Sequence, residues 1–246
     1  MTPMTNTTPK SDDAMPADML ELSAPERWRR AIRALTRVMT NPDETDQVLL
    51  FTGYANAGSL ARRHANEMND AEWVQLFADR PAIDSRTIDI AAMAQLPAGT
   101  LGRAYADFLI ANHLTPDVFD GPPAGVKDPQ IAYAIQRLRQ THDLWHVVTA
   151  HNTDFAGEIR LQAFTYAQLG APASGILAAV GALKASREYP RLMAEVLVAY
   201  RAGKRANRFA TFRWENHWST PLAEVRALLS VEPVAYPRLD TLRAAA

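Results

Sequence analysis

The 246-residue chain contains no cysteine. That absence removes disulfides, thiolate zinc sites, iron–sulfur clusters and cysteine nucleophiles together, so any metal must be held by nitrogen and oxygen. Long apolar runs are missing too. No stretch of about 18 uninterrupted apolar residues occurs, which argues against a membrane-spanning helix. The most apolar segment, Ala171 to Leu183, is broken by Pro172, Gly175 and Gly181; it suits a buried helix or the wall of an apolar groove. A formal net charge of −1 leaves no excess of positive charge to hold nucleic acid. The opening residues lack both the basic start and apolar middle of a secretory signal and the arginines of a mitochondrial presequence. They read as a disordered tail over 1–23, ahead of one all-α domain over 24–246. These features suit a bacterial cytoplasmic protein.

What is present centres on His142-Asp143-Leu144-Trp145-His146, followed after eleven residues by Glu158. Histidines four apart stand one above the other on a helix, close enough to share one metal ion. Apolar residues at Ile131, Ile135, Leu138, Trp145 and Thr149 mark the same face, so both imidazoles fall where the pattern calls for a core side chain. Buried polar groups need compensation. Asp143, one step round the helix, can bind the same ion or orient a histidine. Glu158 lies about 18 Å further along a continuous helix, so it reaches the ion only if the chain reverses. Asn152-Thr153-Asp154 supplies the reversal: Asn152 can end one helix, and Thr153 or Asp154 can cap the next. The expected product is a metal site between two antiparallel helices of a multi-helix, bundle-like domain.

Around this motif the pattern is helical throughout, with no alternating strand series and no internal repeat. Pro25 to Met39, opened by Ser23, should bury Trp28, Ile32, Leu35 and Met39; its arginines 29, 30, 33 and 37 make it a basic amphipathic helix able to rest on an anionic membrane surface. Helices are further expected over Asp46 to Met68, Asp70 to Phe77, Thr100 to Leu114, Pro129 to His151, Asp154 to Leu169, Ser174 to Ala185, Pro190 to Arg201 and, capped by Thr220, Pro221 to Leu229.

The dispersed motifs resemble the ubiquinone (coenzyme Q) biosynthesis protein 4 family. Its signature, a His-Asp-x-x-His pair and a glutamate after eleven intervening residues, matches His142, Asp143, His146 and Glu158. Leu96-Pro97, Thr100-Leu101-Gly102, Tyr105, Ala132-Tyr133, Trp214-Glu215, Trp218 and Arg226 are similar to the flanking blocks. Two departures stand out: Ala150 where many relatives carry glycine, and His151 beside it, expected as an exposed helix-end histidine.

The resemblance implies a lyase-type enzyme of ubiquinone biosynthesis. It would remove the C1 carboxylate of a polyprenylated 4-hydroxybenzoate and put a hydroxyl there. The alternative it implies is a non-catalytic lipid-binding scaffold that organises the other ubiquinone-biosynthesis enzymes. The partners are then the polyprenylated benzoquinone precursor, those enzymes and a second copy in a homodimer, with contact limited to the inner face of a bacterial inner membrane. One divalent ion is expected, zinc or iron first, with manganese and cobalt also compatible with two imidazoles and carboxylates. Arg137, Arg139 and Arg201 are candidates to hold a benzoate carboxylate. Tyr166, with Ala163, Leu169 and the small residues of Ala171 to Leu183, is a candidate to line a groove for the prenyl tail. Trp214-Glu215 can brace the site.

Overall fold

Side-chain caps set most of the helix starts. The structure is a computed structural model that describes residues 18–41, 45–117, 121, 123–234 and 236. Ser23 opens α1 (Ala24–Thr40), which leads to α2 (Thr45–Glu67). Asp70, Asp89 and Thr100 accept first-turn N–H groups of α3 (Ala71–Asp79), α4 (Ile90–Met93) and α5 (Leu101–Ala111). Asp128 and Asp154 do the same for α6 (Pro129–Thr149) and α7 (Phe155–Leu169). The chain continues through α8 (Pro172–Lys184), α9 (Leu192–Arg205), a 3-10 turn at Trp214–Asn216 and α10 (Leu222–Leu228). Among the described residues there is no strand, and the only β-type pairing is an isolated bridge between Thr100 and Pro221. The all-α expectation holds. Thr220 does not cap α10 with its side chain; its carbonyl accepts the Leu101 N–H at 2.9 Å and ties the C-terminal segment to the start of α5.

The main core lies between α5, α6, the first half of α7 and the C-terminal segment, where Tyr105, Leu144, Trp145, Phe164, Phe209 and Trp214 are buried together. A second cluster joins α7 to α8 and α9. There the small residues serve close packing: a Cβ at Gly181 would come within 2.1 Å of Ile159 Cδ1, and Ala163, Ala178 and Ala182 are buried in the same contact. The groove expected from that run is therefore filled by neighbouring helices. α7 touches α6 over a short stretch near their connecting turn and then follows α9 and α8.

α1 is rotated from its expected orientation, so that of the four expected inner residues Leu35 packs against the core while Trp28 and Ile32 do not. It packs through Ala31 and Ala34 against Phe51 and Tyr54 of α2, while Trp28 and Ile32 point outward, 43% and 60% exposed. The large side chains of α2 fill the space, so α1 presents its small residues to them. Met19 is also buried and donates its N–H to the Gly125 carbonyl, so packed chain begins inside the span expected as a tail; residues 1–17 of that span lie outside the described residues. No described helix is long and apolar enough to cross a membrane.

Candidate metal centre

The helix that carries the histidines is turned relative to its apolar stripe. Ala134, Arg137, Thr141, Leu144, Trp145 and Val148 form the buried side of α6, whereas Ile135, Leu138 and His142 are half-buried. The reason is that Arg137 can be buried at all. Its Nη2 donates to the Glu215 carboxylate at 2.7 Å and to the Phe212 carbonyl at 3.1 Å, and opposite charge is what makes burial of a guanidinium tolerable. Arg137 thus braces the C-terminal segment and is not available to hold a substrate carboxylate.

Three of the expected ligands meet. His146 Nε2 lies 3.0 Å from Glu158 Oε1, and His142 Nε2 lies 3.6 Å from Glu158 Oε2. One nitrogen or oxygen from each of the three lies within 4.8 Å of the others. Asp143 stays outside this group. His146 is buried beneath the Phe108 ring, whereas His142 and Glu158 keep partial access to solvent.

The turn between α6 and α7 builds this arrangement. Ala150 ends α6 in the left-handed region (φ 59°, ψ 28°), the position expected of glycine. That bend brings the His151 carbonyl within 3.1 Å of His146 Nδ1. A carbonyl only accepts, so Nδ1 carries the proton and Nε2 presents its lone pair to the centre. Asp154 then caps α7 through the Gly157 N–H at 2.7 Å. Gly157 is required sterically, because a Cβ there would fall 1.9 Å from the Asn152 carbonyl oxygen. Arg226 donates to the Val147 and Val148 carbonyls at 3.1 and 2.9 Å, fixing the last turn of α6 beside His146. Neither Arg226 nor the His151 backbone is marked in the sequence as part of the site.

His151 itself is buried, against expectation. Burial first, and then the nearby Arg160 cation, push its imidazole down to about 3, so the ring is neutral. Its role in the site is through its carbonyl. At Glu158 burial favours the protonated form, but the two imidazoles outweigh it and hold the carboxyl well below the usual range. At His142 burial opposes protonation and Glu158 outweighs it, so the net shift is upward. Burial raises the Asp143 carboxyl.

The donor set fits a divalent cation. His146 Nε2 is buried without a hydrogen bond of acceptable geometry, although a carboxylate oxygen lies beside it. When both imidazoles are neutral, they and the carboxylate carry net negative charge and converge on one point, and an ion accepting from all three satisfies them more completely than the proton that Glu158 favours on His142. Of the expected substrate residues, Arg139 lies one turn before His142 on the same face, half-buried, and pairs with no other described residue. Tyr166 is further along α7, stacked near Tyr200 with ring centroids 5.9 Å apart, and Arg201 is exposed on α9.

Comparison with known proteins agrees with the motif. The profile of the family described as coenzyme Q (ubiquinone) biosynthesis protein Coq4 matches residues 17–235. The chain belongs to that family. The mitochondrial COQ4 homolog of Xenopus laevis is 28% identical over 93% of this chain and 81% of its own length. That of Danio rerio is 32% identical over 82% of this chain and 75% of its own. A crystal structure from Nostoc punctiforme, 27% identical, superposes with a TM-score of 0.68 over 82% of this chain and 96% of that one. The fold is thus shared with a bacterial protein, and the sequence similarity extends to relatives whose names place them in mitochondria.

Proposed function

We propose that this Coq4-family protein is a metal-dependent enzyme of ubiquinone biosynthesis acting on the C1 carboxylate of a polyprenylated 4-hydroxybenzoate. The conversion breaks the bond between ring and carboxyl carbon, releases carbon dioxide, forms a C1–O bond to the oxygen of a water molecule and passes two electrons and two protons to an oxidant such as dioxygen, which leaves as hydrogen peroxide. The observation that carries this reading is the convergence of His142, His146 and Glu158 on one point, with Arg139 one turn before His142 on α6. A divalent ion held there would supply Lewis acidity and, if it is iron, manganese or cobalt, a change of valence as well.

The chain's own residues account for the remaining requirements. Arg139 is a permanent cation in a half-buried position and can take one carboxylate oxygen in a charge-assisted hydrogen bond. Phe108 shields His146 from water. Asp143, raised by burial, stands next to the centre as a group able to exchange a proton with the ring substituents. Tyr166 lies eight residues beyond Glu158, about 12 Å along α7, and is 40% exposed.

The test is metal content after anaerobic purification, with turnover of a short-prenyl hydroxybenzoate measured on the same sample with and without dioxygen. Stoichiometric metal with oxygen-dependent release of carbon dioxide is expected. Metal retained without turnover, on a sample shown to bind the substrate, would defeat the catalytic reading. Arg139→Lys should raise KM more than it lowers kcat, because it keeps the charge and loses the planar fork.

A further inference from the structure

The chain after α10 folds back onto the elements that carry the metal centre. α10 closes in a Schellman turn. Ser230 takes the left-handed region (φ 54°) and donates its N–H to the Ala227 carbonyl at 3.0 Å, and the Val231 N–H reaches the Arg226 carbonyl at 2.8 Å. Val231 then packs on the main core. Further on, Tyr236 makes three contacts with the α6–α7 turn and with α7. Its carbonyl accepts the Asn152 side-chain amide at 3.1 Å, and its ring centroid lies 6.1 Å from that of the His151 imidazole. The same ring covers the Arg160 guanidinium, with Cζ 4.2 Å from the centroid. Arg160 is fully buried and gives Nη1 to Glu195, while Nε and Nη2 have no hydrogen-bond partner. An aromatic face is a favourable neighbour for a guanidinium desolvated in this way.

We propose that Tyr236 is a positioning residue of the metal centre, clamping the α6–α7 turn so that the His151 carbonyl stays on His146 Nδ1. The inference rests on the metal reading of His142, His146 and Glu158. Each contact of Tyr236 falls beside a support of that triad. His151 supplies the carbonyl that fixes the His146 tautomer, Asn152 carries the carbonyl against which Gly157 packs, and Arg160 follows Glu158 on α7. The Asn152 bond does nothing for the Arg160 cation; its effect is to tie the segment to the turn. Arg226 grips the last turn of α6 through the Val147 and Val148 carbonyls. α10 and the segment behind it thus hold the turn on both sides, and the Schellman turn joins the two grips. Such coupling is reciprocal: a clamp that favours the metal geometry is itself tightened by the metal.

Competition with a chromophoric chelator measures zinc affinity on the full chain, and the visible absorption of the cobalt(II)-loaded protein reports the coordination geometry. Tyr236→Ala should weaken zinc binding about ten-fold and alter the cobalt spectrum, with its fold confirmed by circular dichroism. Tyr236→Phe, which keeps the ring and the carbonyl, should restore both to the wild-type values. Asn152→Ala should weaken zinc binding about three-fold. Combined with Tyr236→Ala it should add less than its single effect, because both act on one clamp. In the other direction, zinc should slow amide hydrogen exchange in the wild-type peptide that contains Tyr236. Unchanged zinc affinity and cobalt spectrum in Tyr236→Ala would overturn the proposal and leave the metal centre standing. So would a Tyr236→Phe variant as weak as Tyr236→Ala, or exchange that zinc does not slow, a measurement that decides even where Tyr236→Ala does not fold. A wild-type chain that takes up neither ion stoichiometrically would overturn the metal reading itself, and this inference with it.

Discussion

Two arrangements of charge lie two residues apart on α7, and they are built for different ends. Arg160 is fully buried, donates to Glu195 at 2.7 Å, and Glu195 also accepts from the Tyr189 hydroxyl at 2.6 Å. Cation and anion cancel in charge within the protein, although Arg160 Nε and Nη2 are buried without a hydrogen-bond partner. Arg137 with Glu215 repeats this design on α6. Glu158 instead faces two imidazoles, and His146 is fixed as a hydrogen-bond donor on the far side, so there a lone pair faces the carboxylate. Buried polar groups that close on one another hold the fold. A cluster that is left acceptor-rich is suited to a ligand from outside.

Removing one partner from each arrangement breaks the comparison most directly. Glu195→Ala leaves the Arg160 guanidinium buried and uncompensated, which should cost about 3–5 kcal/mol in urea unfolding. Glu158→Ala removes the carboxylate from two groups that can be neutral. It should cost less than about 1 kcal/mol in the chelated protein while abolishing stoichiometric metal uptake. If chelated Glu158→Ala is as unstable as Glu195→Ala, the cluster is a structural element of the same kind and the contrast fails. His146→Ala carries the functional half of the test. Loss of turnover with folding and lipid binding intact rules against a scaffold role.

Gly157→Ala separates the two arrangements by geometry. The added methyl group meets the Asn152 carbonyl, so the turn must open at a cost of about 3 kcal/mol. Because that turn positions Glu158 and the His151 carbonyl, metal affinity should fall with stability, whereas the Arg160–Glu195 pair should remain. Gly181→Ala, which strikes Ile159 on the opposite side of α7, should cost stability and spare metal uptake. Equal effects of both on metal uptake would show that the turn is not what sets the site.

Acid should discriminate in the same way. His151 is held neutral with its pKa lowered to about 3, against an ordinary value of 6.5. Below the ordinary value the unfolded chain takes up a proton that the native chain refuses, so this contribution to stability is complete above pH 6.5 and is lost as pH falls toward 3. At about pH 5.5 the difference amounts to about 1.4 kcal/mol. His151→Phe, which cannot take up that proton in either state, should flatten the acid limb of the unfolding profile by this amount. An identical limb in both proteins would mean that His151 is protonated in the fold.

These elements also show what a sequence can and cannot disclose. The starts of α5 and α7 are legible because a cap is a local bargain between one side chain and the next turn. The ligand triad is legible because its residues repeat at helical spacing on either side of a turn. The inward face of α1 is not, since periodicity reports an amphipathic helix without saying whether the large or the small side of it meets Phe51 and Tyr54. The burial of Arg137 depends on Glu215, 78 residues away. The part played by His151 belongs to a backbone carbonyl, which leaves no mark in the identity of the residue.

Ala150 gives the smallest effect and the finest resolution. A residue with a Cβ in the left-handed region pays roughly 1–2 kcal/mol, and glycine would avoid that while losing about 0.4–1 kcal/mol through its freer unfolded chain. Ala150→Gly should therefore raise stability by about 0.5–1 kcal/mol, read as a higher urea midpoint at constant slope. The backbone already has the conformation glycine prefers (φ 59°), so the His151 carbonyl should keep its hold on His146 Nδ1 and metal affinity should not change. A gain in stability accompanied by weaker metal binding would mean that the strain at Ala150 itself presses the carbonyl onto the imidazole. The departure from glycine in this chain would then be a feature of the metal centre and not of the helix end.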